Sequence, residues 1–218
     1  MQIAIGLYPG LTALDVIGPY QAFTLLPDAE VVLCAERTGP LADDIGLLRL
    51  DVQHTFADVP TPDVLVVGGG YASRELARPD SAIVEWIRSA HEHTTWTTSV
   101  CTGALLLGAA GLLEGIRATT HWHYTDLIAA QGATPVTDRV VIEGKVITAA
   151  GVSAGIDMAL TLIERTHGPE VAQGIQLGIE YDPQPPFDAG APWKAPTEIT
   201  ELVAAVMDAQ EGAAHATG

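Results

Sequence analysis

The sequence predicts an α/β protein, a three-layer sandwich in which helices cover both faces of a mostly parallel central sheet. Short apolar runs typical of strands alternate with longer helix-like segments along the 218 residues. Most of the strand-like runs are continuously apolar, which is typical of strands that are buried on both faces. No repeat, linker or charge run divides the chain, so we expect a single domain over residues 1–210.

The N-terminal half of the chain predicts four strands separated by helices. Aliphatic residues fill the strands, and the helix that begins at Pro79 and Asp80 carries Ile83, Trp86 and Ile87 at helical spacing. The predicted strands cover residues 3–8, 30–35, 63–67 and 94–100, and the predicted helices cover residues 14–26, 79–91 and 104–110.

The C-terminal half predicts a hairpin between helices. The sequence Glu143-Gly144-Lys145 separates two short β-rich runs, and Gly132 ends the helix before them. The hairpin strands cover residues 140–142 and 146–148, and the helices cover 122–131, 155–167, 170–179 and 197–210. Residues 181–196 form a proline-rich loop, and we expect residues 211–218 to be a disordered tail.

Composition excludes several classes of partner. The formal net charge of −17 argues against binding to nucleic acid or anionic membranes, because phosphate groups would be repelled. Two cysteines are too few for a disulfide scaffold and favour a reducing compartment. The first strand begins at once, without a signal peptide, and no apolar run approaches the ~20 residues of a membrane helix. We therefore expect a cytoplasmic protein.

Cys101 is the strongest candidate for a functional side chain. It lies where a β-rich segment meets a turn of small residues and an apolar helix, and such a bend exposes a nucleophile. The unpaired N–H groups and positive end of that helix predict a lowered thiol pKa. The alternative is a buried core cysteine, which is our interpretation of Cys34 within its apolar strand. The small, polar neighbours Ser99, Thr102 and Gly103 favour a functional thiol at Cys101.

Three glycines follow the third predicted strand, at the sheet edge where ligands of parallel α/β proteins bind. A flexible turn is the simple interpretation of Gly68, Gly69 and Gly70, and they match no dinucleotide or phosphate-binding motif. The functional interpretation is that the Gly69 or Gly70 N–H acts with the Thr102 N–H as an oxyanion-type hole.

Asp15 follows the first strand and has two interpretations. Thr12 and Asp15 have the spacing of a helix capping box, and this spacing alone favours a structural role. A buried carboxyl beside a thiolate would instead have a raised pKa, and it could hold and pass a proton.

His121 and His123 are the remaining polar candidates. Two histidines at i and i+2 do not share a helix face, and no cluster of cysteines or carboxylates accompanies them, so a metal site is not expected. We expect His121 to be a polar residue that lines the site or a structural residue.

Several segments together resemble the ThiJ/PfpI superfamily, and most closely its isocyanide hydratase branch. The resemblance runs from residue 2 to about 196 and implies a flavodoxin-like three-layer sandwich with a nucleophile elbow and the class I glutamine-amidotransferase-like topology. The segments are LDVIGP at 14–19, SVCTG at 99–103, GAAGLL at 108–113, ATTHW at 118–122, AGID at 154–157 and EYDPQPPF at 180–187.

The resemblance implies a role for each candidate. Cys101 would attack the isocyanide carbon to give a thioimidate, which water hydrolyses to an N-substituted formamide, and Asp15 would carry the proton. Thr102 occupies the place of a threonine that matters in that branch, and Gly69 and Gly70 match the glycines of a Pro-Gly-Gly turn. Gly68 stands where that turn has proline. Thr102 stands where a protease-like branch has histidine, so a histidine-assisted peptidase is not expected.

The resemblance also sets the alternatives and the expected partners. One alternative is a cysteine hydrolase of the same superfamily that acts on another small substrate. The other is a non-enzymatic redox or ligand-sensing domain akin to the N-terminal half of AraC-type regulators. The chain ends soon after Gln210 without a basic recognition helix, which disfavours DNA binding. We expect a homodimer that acts on a small molecule without a metal or organic cofactor.

Overall fold

The computed structural model describes the backbone of residues 1–216 and the side chains of residues 1–209. The chain forms two compact units, Met1–Glu180 and Tyr181–Gly218. The disordered tail expected at residues 211–218 remains a prediction. Residues 217 and 218 lie outside the described residues. None of the helices within the described part of the chain is long and apolar enough to cross a membrane.

The first unit contains every strand and all but one of the helices described. Its strands are β1 (Gln2–Gly6), β2 (Glu30–Ala35), β3 (Gly39–Ala42), β4 (Arg49–Val52), β5 (His54–Thr55), β6 (Val64–Val67), β7 (Trp96–Val100), β8 (Arg117–Ala118), β9 (Thr134–Pro135), β10 (Val140–Glu143) and β11 (Val146–Ala149). Its helices are α1 (Ala13–Phe23), α2 (Ser73–Leu76), α3 (Ala82–His91), α4 (Gly103–Ala109), α5 (Thr125–Ala130), α6 (Ala154–His167) and α7 (Pro169–Gly178).

The central sheet has seven strands in the order β10-β11-β7-β6-β1-β2-β5. Every pair is parallel except β10 with β11, which form the predicted antiparallel hairpin. All four residues of β6 are buried, as continuous apolar strands require when both faces are covered. The predicted α/β class with a mostly parallel sheet is therefore confirmed.

Helices cover both faces of this sheet. On β7, the Thr97 hydroxyl contacts the ring of His91 in α3, whereas Val100 lies against Gly155 in α6. Because side chains alternate along a strand, these two contacts lie on opposite faces. Helices α1 and α7 pack on α6, and α2, α3 and α5 pack on α4, so the two faces carry separate helical layers.

Three local features differ from the sequence-based expectation. The hairpin of β3 and β4 was not predicted, since its residues show no clear alternation of apolar and polar positions. The helix expected over residues 122–131 begins instead with a 3-10 turn, Trp122–Tyr124, because the Tyr124 N–H donates to the His121 carbonyl three residues earlier. The short helix α2 was also missed.

The second unit consists of a loop followed by α8 (Thr197–Ala216). Within the loop, Lys194 pairs with Asp188 at 2.7 Å. The described part of α8 carries the exposed apolar residues Ile199, Leu202, Val203 and Val206, whose spacing places them on one face of the helix.

Candidate active site

The topology brings the predicted site residues to one edge of the sheet. Strands β1, β6 and β7 are parallel neighbours, so their carboxyl ends lie side by side. Asp15 follows β1 in the first turn of α1, the glycines Gly68, Gly69 and Gly70 follow β6, and Cys101 follows β7. The fold therefore places the carboxyl, the glycine turn and the thiol together.

Cys101 lies in a strained bend between β7 and α4. Its φ of +57° is in the left-handed region, which a residue with a side chain seldom adopts. Its N–H donates to the carbonyls of Ala149 and Ala150, and its carbonyl accepts from the Thr120 hydroxyl at 2.8 Å. A Cβ on Gly103 would lie 2.9 Å from the carbonyl oxygen of Gly68, so the bend needs glycine there. The surroundings thus fix the direction in which the thiol points.

The thiol pKa differs from the expectation. Cys101 is 6% exposed, and burial raises the pKa of its thiol well above the ordinary value, as does the negative charge of Asp15. The N–H groups of Val152 and Thr102 face the sulfur and act in the opposite direction, but they do not outweigh burial. The predicted lowering of this pKa was wrong, because the sequence shows the helix start but not the depth of burial.

The Asp15 carboxyl is buried and does not cap α1. Its side chain is 0% exposed, and Oδ2 accepts a hydrogen bond from the Gly69 N–H at 2.7 Å. The Thr12 side chain makes no cap and instead donates to Asp44 Oδ2 at 2.7 Å. The capping box that the spacing favoured is therefore absent, and the carboxyl is directed toward the other strand ends.

The Asp15 carboxyl and the Cys101 thiol lie close enough for each to shift the pKa of the other. Burial raises the pKa of Asp15 from 3.8 to about 7, the Gly69 N–H and the Cys101 thiol oppose the rise, and the charge of Asp44 adds to it. The second oxygen, Oδ1, is buried and has no hydrogen-bond partner among the described residues. Near neutral pH the pair therefore consists of a thiol and a carboxyl that can exchange one proton.

Gly69 and Gly70 hold the site together, and their N–H groups are not free for a ligand. The Gly69 N–H donates to Asp15, and the Gly70 N–H donates to Thr102 Oγ1 at 3.0 Å. Both groups have buried partners in this structure, and the oxyanion-type hole expected from either of them stays a prediction. The N–H groups that face the sulfur belong to Thr102 and Val152.

Val152 is a site residue that sequence reasoning missed. Its φ of +39° is unusual for a β-branched residue, and this conformation accompanies an N–H directed at the Cys101 sulfur. No pattern in the sequence marks a valine for this role. The preceding Gly151 is a weak indication, because a Cβ there would lie 2.6 Å from Cδ2 of His121.

His121 packs beside the site as a neutral residue. It is 8% exposed, and burial followed by the charge of His123 lowers the pKa of its ring to about 4. Its Nδ1 accepts from the His123 N–H at 3.4 Å. The His121 ring is therefore neutral at physiological pH. Among the described residues, no group of three or more histidine, cysteine or acidic side chains could hold a metal ion.

Fold and site together define the class of this protein: an α/β sandwich with a buried cysteine–carboxyl pair at the carboxyl edge of a parallel sheet. The chain belongs to the DJ-1/PfpI family, whose family model matches residues 1–165.

Two curated proteins and one solved structure are similar to this chain. The chain is 45% identical to isonitrile hydratase of Pseudomonas putida over 201 residues, which cover 92% of this chain and 87% of that protein. It is 39% identical to the HTH-type transcriptional regulator CdhR of Pseudomonas aeruginosa over 123 residues, 55% of this chain and 35% of the regulator. The crystal structure of a ThiJ/PfpI family protein from Pseudomonas syringae superposes with a TM-score of 0.89 at 35% identity, covering 97% of this chain and 87% of that one.

Proposed function

We propose that this protein is a cysteine-dependent isocyanide hydratase, which adds water to an isocyanide to give an N-substituted formamide. The observation that carries the proposal is the buried pair of the Cys101 thiol and the Asp15 carboxyl, each of which shifts the pKa of the other. An isocyanide carbon needs a soft nucleophile and a proton, and this pair supplies both. The 45% identity to an isonitrile hydratase over most of both chains supports the same reaction.

In the first half of the reaction, Cys101 Sγ forms a bond to the terminal carbon of the isocyanide. The thiol proton passes to the neighbouring carboxylate of Asp15, and Asp15 then delivers that proton to the same carbon. The product of these steps is a thioimidate, in which the former isocyanide carbon carries one hydrogen, a double bond to nitrogen and the sulfur of Cys101. Asp15 is again a carboxylate.

In the second half, water adds to the thioimidate carbon. Asp15 accepts a proton from the water and returns it to the nitrogen, so that a tetrahedral intermediate forms. Its collapse breaks the carbon–sulfur bond, forms the formamide carbonyl and returns a proton to Cys101. The Thr102 and Val152 N–H groups face the sulfur and would stabilise negative charge as it enters and leaves. The sum is one isocyanide plus one water, with no net redox change, so we propose no cofactor.

The other site residues have supporting roles in this proposal. Gly69 holds the Asp15 carboxylate, and Thr102 fixes Gly70 and the start of α4, so the two reacting groups stay in contact. The strained bend at Cys101 acts as a nucleophile elbow. The neutral ring of His121 contributes to the wall that receives the substrate.

The experiment is a turnover assay with cyclohexyl isocyanide, followed by NMR detection of the formamide. We expect the parent protein to form N-cyclohexylformamide and Cys101→Ala to form none above the uncatalysed rate. Cys34→Ala is the matched control, because Cys34 is buried in β2 and burial raises its pKa to about 12. Loss of activity in Cys34→Ala but not in Cys101→Ala would refute the assignment.

A sensing domain is the second candidate, and the similarity to part of the regulator CdhR favours it. Peptide mass spectrometry after mild peroxide treatment distinguishes the two. Selective oxidation of Cys101 in a protein that turns over no isocyanide would support the sensor.

We also propose that the protein is a cytoplasmic homodimer. The exposed apolar stripe of Ile199, Leu202, Val203 and Val206 on α8 is a surface that a second copy would cover. Light scattering coupled to size-exclusion chromatography tests the dimer. We expect twice the mass of 22.8 kDa for the parent and a shift toward the monomer for Leu202→Glu.

A further inference from the structure

The glycine turn after β6 is held by hydrogen bonds, because three consecutive glycines have no side chains to restrain them. The Gly69 carbonyl accepts from the Thr12 N–H at 2.9 Å, and the Gly70 N–H donates to Thr102 at 3.0 Å. The Gly70 carbonyl accepts from the Ser73 hydroxyl at 2.7 Å. The turn therefore takes its shape from the side chains and backbone around it.

Tyr8 completes this set from the end of β1. Its hydroxyl donates to the Gly68 carbonyl at 2.9 Å, and its side chain is buried. The Gly68 carbonyl and the Gly69 N–H are the two ends of one planar peptide group. That N–H donates to Asp15 Oδ2 at 2.7 Å, and the Asp15 carboxyl lies beside the Cys101 thiol. A chain of hydrogen bonds thus runs from the Tyr8 phenol, through a single peptide group, to the carboxyl that faces the cysteine.

We propose that Tyr8 is a positioning residue that orients and polarises the Gly68–Gly69 peptide group, and through it holds the Asp15 carboxylate where it exchanges a proton with Cys101. This inference deepens the proposed function and rests on it for its catalytic consequence. A donor on a peptide carbonyl makes the N–H of the same peptide a stronger donor, because hydrogen bonds in series polarise one another. The phenol therefore stabilises the charged carboxylate without adding a charge of its own.

The phenol stays protonated under working conditions. Burial raises the pKa of Tyr8 well above its ordinary value of 10.0, and the nearby charges of Asp15, Cys101 and Asp44 act in the same direction, while the hydrogen bond with Ser73 opposes them. Tyr8 is thus a permanent donor to Gly68. Tyr8 also lines a cavity of about 400 Å³ at the carboxyl ends of β1 and β2, together with its neighbours Leu7 and Pro9. Phenylalanine keeps that wall and removes only the hydroxyl.

The direction of the effect on Asp15 follows from the groups that act on it. Burial raises the pKa of the carboxyl, the hydrogen bond from the Gly69 N–H and the nearby Cys101 thiol lower it, and the charge of Asp44 raises it. Tyr8 reinforces the Gly69 donor, so removing its hydroxyl weakens a contact that favours the charged form. We expect Tyr8→Phe to shift the titration of Asp15 upward by about 0.5 pH unit.

The experiment follows the Asp15 carboxyl carbon by ¹³C NMR across pH in the full chain, with the resonance assigned by its loss in Asp15→Asn. Tyr8→Phe is compared with Tyr20→Phe, which removes a phenol hydroxyl from an exposed position on α1. We expect the upward shift in Tyr8→Phe only, and a matching shift in the acid limb of kcat/KM for cyclohexyl isocyanide. A titration that is unchanged in folded Tyr8→Phe overturns the proposal.

Replacement of Tyr8 by 3-fluorotyrosine keeps the test decisive if Tyr8→Phe does not fold. The fluorinated phenol is a stronger donor, so the Asp15 titration is expected to move downward, and no shift or an upward shift overturns the proposal. The NMR titration needs no substrate. If the parent protein fails to hydrate isocyanides while the shifts appear, the proposed function is wrong and the positioning role of Tyr8 stands.

Discussion

The buried carboxyl of Asp15 and the thiol of Cys101 lie close enough to shift each other's pKa, although the two residues follow different strands of the sheet. They meet because β1 and β7 lie on either side of β6 in parallel register, and because Gly69 carries no side chain where the turn passes Asp15 and Thr102. A Cβ on Gly69 would lie 3.0 Å from Asp15 Oδ2 and 2.6 Å from the Thr102 nitrogen.

Removing the charge of Asp15 should make the thiol easier to ionise while turnover is lost. The negative carboxylate raises the pKa of Cys101, so Asp15→Asn is expected to lower that pKa. We expect the rate of Cys101 alkylation by iodoacetamide at pH 8, assigned by peptide mass spectrometry, to rise severalfold. An unchanged or slower alkylation of the folded variant would show that the carboxylate does not act on the thiol.

The fall of kcat/KM at acidic pH should follow the protonation of Asp15. Its pKa of about 7 means that the free enzyme loses its proton acceptor as pH falls below 7. We expect kcat/KM for an alkyl isocyanide to fall about tenfold per pH unit well below that point, after subtraction of spontaneous acid hydrolysis at each pH. Activity that is constant between pH 5 and pH 7 would remove Asp15 from the proton transfer.

The same pKa predicts a dependence of stability on pH. Because the folded-state pKa of about 7 lies above the ordinary value of 3.8, the folded protein binds this proton more tightly than the unfolded chain does. The stabilisation is fully present below pH 4 and is lost as pH rises through 7. It corresponds to about 4 kcal/mol of unfolding free energy.

Urea unfolding of the parent and of Asp15→Asn at pH 4, 6 and 8 measures this linkage. We expect the variant to gain stability relative to the parent by a few kcal/mol between pH 4 and pH 8, because asparagine does not titrate. A difference between the two proteins that does not change with pH would contradict the raised pKa.

A side chain on Gly69 should separate the pair. Gly69→Ala places a Cβ against the Thr102 nitrogen and the Asp15 carboxylate, so we expect at least a 100-fold loss in kcat/KM. Gly174→Ala is the matched control, since it lies in α7 with nothing within 4 Å of the added Cβ. The control should keep full activity and gain about 0.5–1 kcal/mol in unfolding free energy. Equal effects of the two substitutions on activity would show that the close approach at Gly69 is unimportant.

The sequence predicted the α/β class, the parallel sheet and the position of Cys101, because these depend on local patterns. Apolar runs mark β1 and β6, β-branched residues mark β7, and small polar neighbours mark the bend after Val100. The fold rule that parallel strands present their carboxyl ends at one edge then grouped Asp15, the glycine turn and Cys101 without any coordinates.

The sequence did not predict what depends on partners from distant segments. The spacing of Thr12 and Asp15 favoured a cap, whereas in the structure Thr12 bonds to Asp44 and Asp15 bonds to Gly69. The thiol pKa was predicted in the wrong direction because burial is a property of the whole fold. No sequence pattern indicated that Val152 belongs to the site, since its contribution depends on a backbone N–H and on a φ of +39°.

Whether Asp15 carries the proton is tested most directly by the rate of formamide release by Asp15→Asn at pH 8 with saturating cyclohexyl isocyanide. Because the variant keeps the thiol but has no proton carrier, we expect a rate at least about 10³-fold below that of the parent, while Cys101 remains open to alkylation. A formamide release rate within tenfold of the parent would show that proton transfer does not depend on the carboxyl beside Cys101.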